Sequence, residues 1–170
     1  MLPVPSVPGL RPTPDRVRET LYNWLNHLWH GQFAGRRILD LFAGTGALGL
    51  EAASRGAGTV HLVEADRGAA QSLQQSCARL KVANATVFNL DAASFLRQQT
   101  QPYDLILLDP PFGSDWLARL LPILATHVTP AGLLYVESDR PLAAPAPWHT
   151  RREGRAAAVY HGLLSLTATP

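Results

Sequence analysis

"RRILDLFAGTGALG", residues 36–49, joins a buried apolar run to a glycine-rich turn and then to the start of a helical pattern. RRILDLF (36–42) reads as a strand, and ALGLEAASRGA (47–57) as a helix closed by Gly56. Gly44, Gly46 and Gly49 match GxGxxG, and Glu64 follows 20 residues after Gly44 at the end of a second strand. Glycines let a backbone approach a ligand, a helix N-terminus offers free N–H groups, and an acid at that spacing takes two ribose hydroxyls. A bare strand-to-helix turn would use the glycines but has no need of the acid. The pattern therefore points to an adenosine-type cofactor.

Working outward, strands and helices alternate. TVHLVEAD (59–66) is a strand, 67–82 a helix, ATVFNLD (85–91) a strand and 92–99 a short helix. YDLILLD (103–109) is the fourth strand. WLARLLPILATHV (116–128) is helical, with Pro122 expected to kink it or to lie near its start. GLLYVES (132–138) is the fifth strand, and Trp148 to Thr167 read as two strands turning around Gly154. Upstream, Thr13 caps a helix with Pro14 at its first position, and Val17, Leu21, Trp24, Leu25 and Leu28 form one apolar stripe. Arg16 and Arg18 fall off that stripe. Repeated βαβ units predict an α/β, Rossmann-like fold: a mostly parallel seven-stranded sheet, helices on both faces and an antiparallel C-terminal hairpin. Residues 1–170 form a single domain, with 1–30 as an N-terminal proline-rich segment and helix and 36–170 as the core.

The apolar fraction of 46% and charged fraction of 16% fit a globular chain. No apolar run approaches the roughly 20 residues that span a bilayer. Residues 1–12 lack a charged n-region followed by an apolar core, so no secretory signal is expected. Cys77 is the only cysteine and the six histidines are scattered, which argues against a disulfide or a metal site and for a reducing cytoplasm. The net charge of +2 is an ordinary surface value, although Arg11, Arg16 and Arg18 cluster near the start and Arg151, Arg152 and Arg155 near the end.

Asp40 helps to choose the cofactor. It stands four residues before Gly44, where a dinucleotide-binding strand keeps an apolar side chain. A carboxylate there repels a pyrophosphate and suits a ligand with an ammonium, such as the methionine end of S-adenosylmethionine. The second pattern, "LILLDPPFG" (105–113), supplies chemistry. The prolines stop the strand, because they lack an N–H and fix φ. Asp109 is thereby held at the mouth of the sheet. Methylating the exocyclic amine of a base is difficult because its lone pair is delocalised into the ring. Asp109 offers a carboxylate to the amino hydrogens, Pro110 a carbonyl, and Phe112 a flat face for stacking. Positioning supplies most of the rest, since a sulfonium is already a strong electrophile.

These stretches resemble the RsmD family, bacterial methyltransferases acting on guanine N2 of small-subunit ribosomal RNA. The matching pieces are "LRPTPDRVRETLYNWL", "ILDLFAGTGALGLEAASRGA", "VEAD", "YDLILLDPPF" and "LLYVES", in order along nearly the whole chain. The resemblance implies a class I S-adenosylmethionine-dependent methyltransferase fold. It also implies that the segment from Arg11 through Thr13 to Asp15 closes over the cofactor, with Asp40, Phe42, Gly44 and Gly46 along the methionine and ribose. Glu64 would bind the ribose, Ala65 lie against the adenine, Asp91 meet its amino group, and Ala92 reach a ring nitrogen through its backbone. Asp109, Pro110 and Phe112 would hold the guanine. Arg16 and Arg18 are the expected phosphate contacts, the substrate is ribosomal RNA in an assembled or partly assembled particle, and the protein is expected to be a monomer. Family members carry a basic, glycine-containing strand before the proline-rich stretch, whereas here Met1 directly precedes it; weaker RNA affinity with cofactor binding less affected is the expectation. The rival readings are a DNA adenine-N6 or cytosine-N4 methyltransferase, a protein-glutamine methyltransferase, an NAD-dependent oxidoreductase and a non-enzymatic RNA-binding module.

Overall fold

The computed structural model describes residues 15–166; Arg11, the expected cap at Thr13 and the rest of the proline-rich segment lie outside them. Helix α1 (Asp15–Trp29) forms along the apolar stripe, with Val17, Leu21 and Leu25 fully buried. Trp24 and Leu28, from the same stripe, are only partly covered.

Five strands run parallel: β1 (Arg37–Asp40), β2 (Thr59–Val63), β3 (Ala85–Phe88), β4 (Tyr103–Leu108) and β5 (Val128–Ser138). The crossovers are α2 (Ala47–Ser54), α3 (Arg67–Arg79), α4 (Ala92–Gln98) and α5 (Trp116–Leu124). A hairpin of β6 (His149–Ala156) and β7 (Val159–Ser165) is antiparallel, and β7 inserts between β5 and β6. The sheet has seven strands, as the alternating pattern predicts, and their order is β3-β2-β1-β4-β5-β7-β6. Strand order reverses between β1 and β4, so a crevice opens at the carboxyl ends of these strands.

Period-two alternation divides the sheet between two cores. Ile38, Leu105, Leu107, Leu133 and Tyr135 face one core with α1, α2 and α3. Leu39, Ile106, Leu108, Leu134 and Val136 face the other with α4 and α5. The central strands β1, β4 and β5 are therefore apolar on both sides, as a covered parallel sheet requires. Among the described residues no helix is long and apolar enough to cross a membrane.

Three expected boundaries differ. Helix α5 stops at Leu124 instead of Val128, with Pro122 in its last turn, and the chain leaves it through tighter turns in which Thr126 and His127 donate to the carbonyls of Ile123 and Leu124. Val128 instead pairs with Tyr103, and a register shift carries β5 on to the Leu105–Leu133 pair. The C-terminal hairpin turns at Ala157 and Ala158, with Ala157 at φ 52°, and not around Gly154. Gly154 lies inside β6 opposite His161, where an added Cβ would come within 2.9 Å of His161 Nε2. That glycine makes room for a ring and does not make a turn.

Candidate active site

Each parallel strand delivers an acid to the same edge of the sheet. Asp40 closes β1, Glu64 follows β2, Asp91 precedes α4, Asp109 follows β4 and Glu137 is next to last in β5. A cavity of about 620 Å³ lies among them, within the usual size of a small-molecule site. Asp40, Phe42, Gly44, Glu64 and Ala65 line one side, with Asp91 and Ala92 next to them. Asp109, Pro110 and Phe112 line the other. Both sequence patterns thus meet in one chamber.

The glycine loop is set from below by Glu64. Its Oε2 accepts the Gly44 N–H at 2.8 Å, and its Oε1 accepts the Asp66 N–H at 3.0 Å. Two backbone donors fix the carboxylate, and its remaining lone pairs can still take two hydroxyls. Asn89 Nδ2 donates to the carbonyls of Glu64 and Ala65 at 2.9 and 3.0 Å, which holds this strand end open. Gly44 takes a left-handed φ of 54°. Gly46 stands behind the cavity wall, as N-cap of α2 with φ 83°, and a Cβ there would meet Leu73 Cδ1 at 2.5 Å. Gly46 packs against Leu50 and Leu73 and does not line the cavity, whereas Gly44 and Thr45 do.

Asp40 is 1% exposed. Its Oδ2 accepts the Gly49 N–H at 3.1 Å, while Oδ1 has no partner among the described residues. Burial pushes this carboxyl up to about 7; the nearby charge of Asp109 adds to the rise, and the Gly49 N–H opposes it. A buried acceptor without a donor, in a cavity wall, leaves a place for a ligand's donor group. The ammonium of a methionine-derived cofactor fits that description, and the ribose hydroxyls fit Glu64.

Asp91 is exposed and caps α4, with Oδ1 accepting the Ser94 N–H at 2.8 Å and Oδ2 the Ser94 hydroxyl at 2.6 Å. These two bonds hold its carboxyl below the ordinary value, so it is a fixed negative charge on the rim. Ala92 opens the same helix and is buried.

On the opposite side β4 ends at Leu108, one residue before Asp109. The following turn is closed by the Ser114 hydroxyl on the Pro111 carbonyl at 2.7 Å. Phe112 is 40% exposed at this turn, an unusual position for a large apolar ring and one open to stacking.

Several lining residues were not anticipated. Trp116 packs edge-on against Phe42, with ring centroids 5.5 Å apart, and Ala156 to Val159 of the hairpin turn form the far wall. Glu137 also lines the cavity and is 2% exposed. It is next to last in the run LLYVES, on the same sheet face as Tyr135, and this alternation was the available signal. Arg16 and Arg18 lie on α1 away from the cavity wall; Arg16 is exposed, and Arg18 Nη2 pairs with Asp15 Oδ1 at 3.0 Å. Among the described residues no cluster of His, Cys, Asp and Glu is arranged to hold a metal ion.

The family model described as conserved hypothetical protein 95 matches residues 1–161. The ribosomal RNA small subunit methyltransferase D of Escherichia coli is 44% identical over 167 residues, 95% of this chain and 82% of that protein. The protein of the same name in Haemophilus influenzae is 41% identical over 160 residues, 89% of this chain and 81% of its own. A solved Escherichia coli structure, provisionally named a methyltransferase, superposes with a TM-score of 0.83 at 40% identity, covering 96% of this chain and 89% of that one.

Proposed function

Because the chain belongs to the family of ribosomal RNA small subunit methyltransferase D proteins, we propose that it transfers a methyl group from S-adenosyl-L-methionine to the exocyclic 2-amino group of a guanine in 16S ribosomal RNA. The observation that carries this reading is the single cavity in which the Gly44–Glu64 side and the Asp109–Phe112 side face each other across Asp40.

The cofactor, when bound, supplies a methyl group on a positively charged sulfur. The chain's own residues do the rest. Asp40 Oδ1 takes the ammonium, and Glu64 takes the ribose hydroxyls while Gly44 and Asp66 hold its carboxylate still. Ala65 lies against the adenine, Asp91 meets its amino group from the α4 cap, and the backbone of Ala92 meets a ring nitrogen. Phe42 and Trp116 close the methionine side with a paired aromatic wall. The segment carrying Arg11 and Thr13 covers the site in this reading.

At the other end a base swung out of its stack lies on Phe112. Asp109 and the Pro110 carbonyl accept its amino hydrogens, which draws the nitrogen toward a nucleophilic geometry. Arg16, and Arg18 once released from Asp15, contact phosphates. The domain works as a monomer, in the cytoplasm and without a metal, on an assembled or partly assembled small-subunit particle.

Labelled methyl transfer into small-subunit particles, naked 16S RNA and duplex DNA tests the proposal, with the modified nucleosides separated by mass. The expected product is 2-methylguanosine, formed best on particles. Methylated adenine or cytosine in DNA would overturn it.

A further inference from the structure

The function proposed above leaves Glu137 unused, although this residue stands beside the reacting centre. β4 and β5 pair with Leu108 opposite Val136, which sets Asp109 next to Glu137. Alternation puts both on the sheet face that carries Leu107 and Tyr135. The Tyr135 hydroxyl donates to Glu137 Oε1 at 2.9 Å, and the Glu137 and Asp109 carboxyl groups both line the cavity. Two carboxyl groups crowded together at a buried strand end repel each other as anions, and a proton kept by one of them relieves this.

Acidic groups of neighbouring elements face the pair. Asp40 faces it from β1, Tyr22 from α1 and Tyr135 from the same strand. His161 is the register partner of Glu137 on β7, and burial pushes that imidazole toward its neutral form. Burial, reinforced by the charge of Asp109, also holds the Glu137 carboxyl well above the carboxylate range.

We infer that Glu137 is a positioning residue for Asp109, sharing its acid proton with the Asp109 carboxylate so that one Asp109 oxygen is held toward the target amine and is ready to take that amine's proton. This rests on the methyltransferase reading. The amine nitrogen bonds to the methyl carbon, the electron pair of the broken carbon–sulfur bond stays on sulfur, and the surplus N–H proton passes to Asp109. One positive charge disappears with the sulfonium and one negative charge disappears from the carboxyl pair, so the charge of the cavity is conserved. The pair then holds two protons and returns one to solvent.

Glu137→Gln keeps a donor toward Asp109, whereas Glu137→Leu fills the space without one. Single-turnover methylation from about pH 6 to about pH 10 should show a wild-type rate that falls on the alkaline side as Glu137 loses its proton. Glu137→Leu should lower kcat by about tenfold or more, with cofactor Kd and RNA KM unchanged. Glu137→Gln should recover most of that loss and lack the alkaline fall. In the cofactor-free protein, the ¹³C carboxyl resonance of Asp109 should follow an alkaline titration that is absent from Glu137→Gln. A wild-type rate in Glu137→Leu, loss of cofactor binding in that variant, or an unchanged Asp109 titration in Glu137→Gln would overturn the inference. If Glu137→Leu does not fold, the resonance in Glu137→Gln decides alone. Absence of methyl transfer by the wild-type protein would instead sink the parent reading, and the cofactor-free titration would still judge the pair.

Discussion

The two sides of the cavity use the same side-chain chemistry in opposite ways. On the β3–β2 side, Glu64 and Asp91 are held by N–H and O–H donors of their own loops. On the β4–β5 side, the strand register sets Asp109 beside Glu137. A carboxylate gripped by donors stays ionised and fixed, as the lowered Asp91 shows. A carboxyl buried against another keeps a proton, as the raised Glu137 shows. Asp40 stands between them with one oxygen in each condition: Oδ2 has a backbone donor and Oδ1 has none. The contrast separates a side built to bind from a side built to exchange protons.

The largest expected effect attacks the proton-exchanging side. Asp109→Ala should lower single-turnover methylation by about 10²-fold or more and leave cofactor affinity nearly unchanged. If the rate stays at wild type while cofactor binding is lost, Asp109 belongs to the binding side and the contrast fails. The mirror experiment is Glu64→Ala, which removes the acceptor of two backbone N–H groups as well as the ribose contacts. Cofactor binding, measured by calorimetry, should weaken by about 1.5–3 kcal/mol. An unchanged Kd would remove Glu64 from the site.

Phe112→Ala should weaken capture of the target base by about 1–3 kcal/mol, the scale of base–aromatic stacking. Cofactor Kd should not change; a shift there would mean that the ring closes the cofactor site. A smaller effect is expected from Arg16→Ala with Arg18→Ala, which should flatten the logarithmic salt dependence of RNA binding by at most about two units. The Asp15–Arg18 pair favours a value below that limit. An identical slope would mean that α1 makes no phosphate contact.

The smallest signal is a slope in stability. The folded protein holds the Asp40 proton more tightly than the unfolded chain does, since burial raises this carboxyl to about 7. Its contribution to stability is therefore present below the unfolded pKa and is lost as pH rises through the folded one. Asp40→Asn should flatten that fall between about pH 4 and about pH 7, by no more than one proton or about 1.4 kcal/mol per pH unit. Chemical denaturation at a series of pH values measures it. A slope equal to wild type would assign the proton to another group.

The binding side was legible in the sequence because its constraints are local. Gly44 and Glu64 meet across one βαβ unit, and spacing records that distance, whereas Asp91 entered only through the family resemblance although its cap on α4 is local. Asp109 was legible for the same reason, since two prolines mark the end of its strand. Glu137 was not, because its role depends on the β4–β5 register, which no local pattern carries. Gly154 shows the converse error. A glycine between polar residues reads as a turn, but here it yields space to His161 while Ala157 takes the left-handed conformation. The end of α5 was not legible because the apolar spacing continues to Val128, while the backbone after Leu124 tightens into i→i−3 turns that no side-chain pattern marks.

Helix α1 spans this division. Its Tyr22 hydroxyl bonds the Leu48 carbonyl at 2.5 Å, and its Trp24 stacks on His161 of β7 with ring centroids 5.2 Å apart. The first of these partners follows soon after α1 in the chain, and the second comes only after six strands have been made. As the polypeptide emerges from the ribosome, α1 can dock on α2 early but must wait for β7 before its outer face is covered. The nucleotide-binding half can thus take shape first, and arrival of the last hairpin both walls the cavity and clamps the first helix. The order of synthesis becomes a safeguard: a chain interrupted before β7 lacks the wall that completes the site.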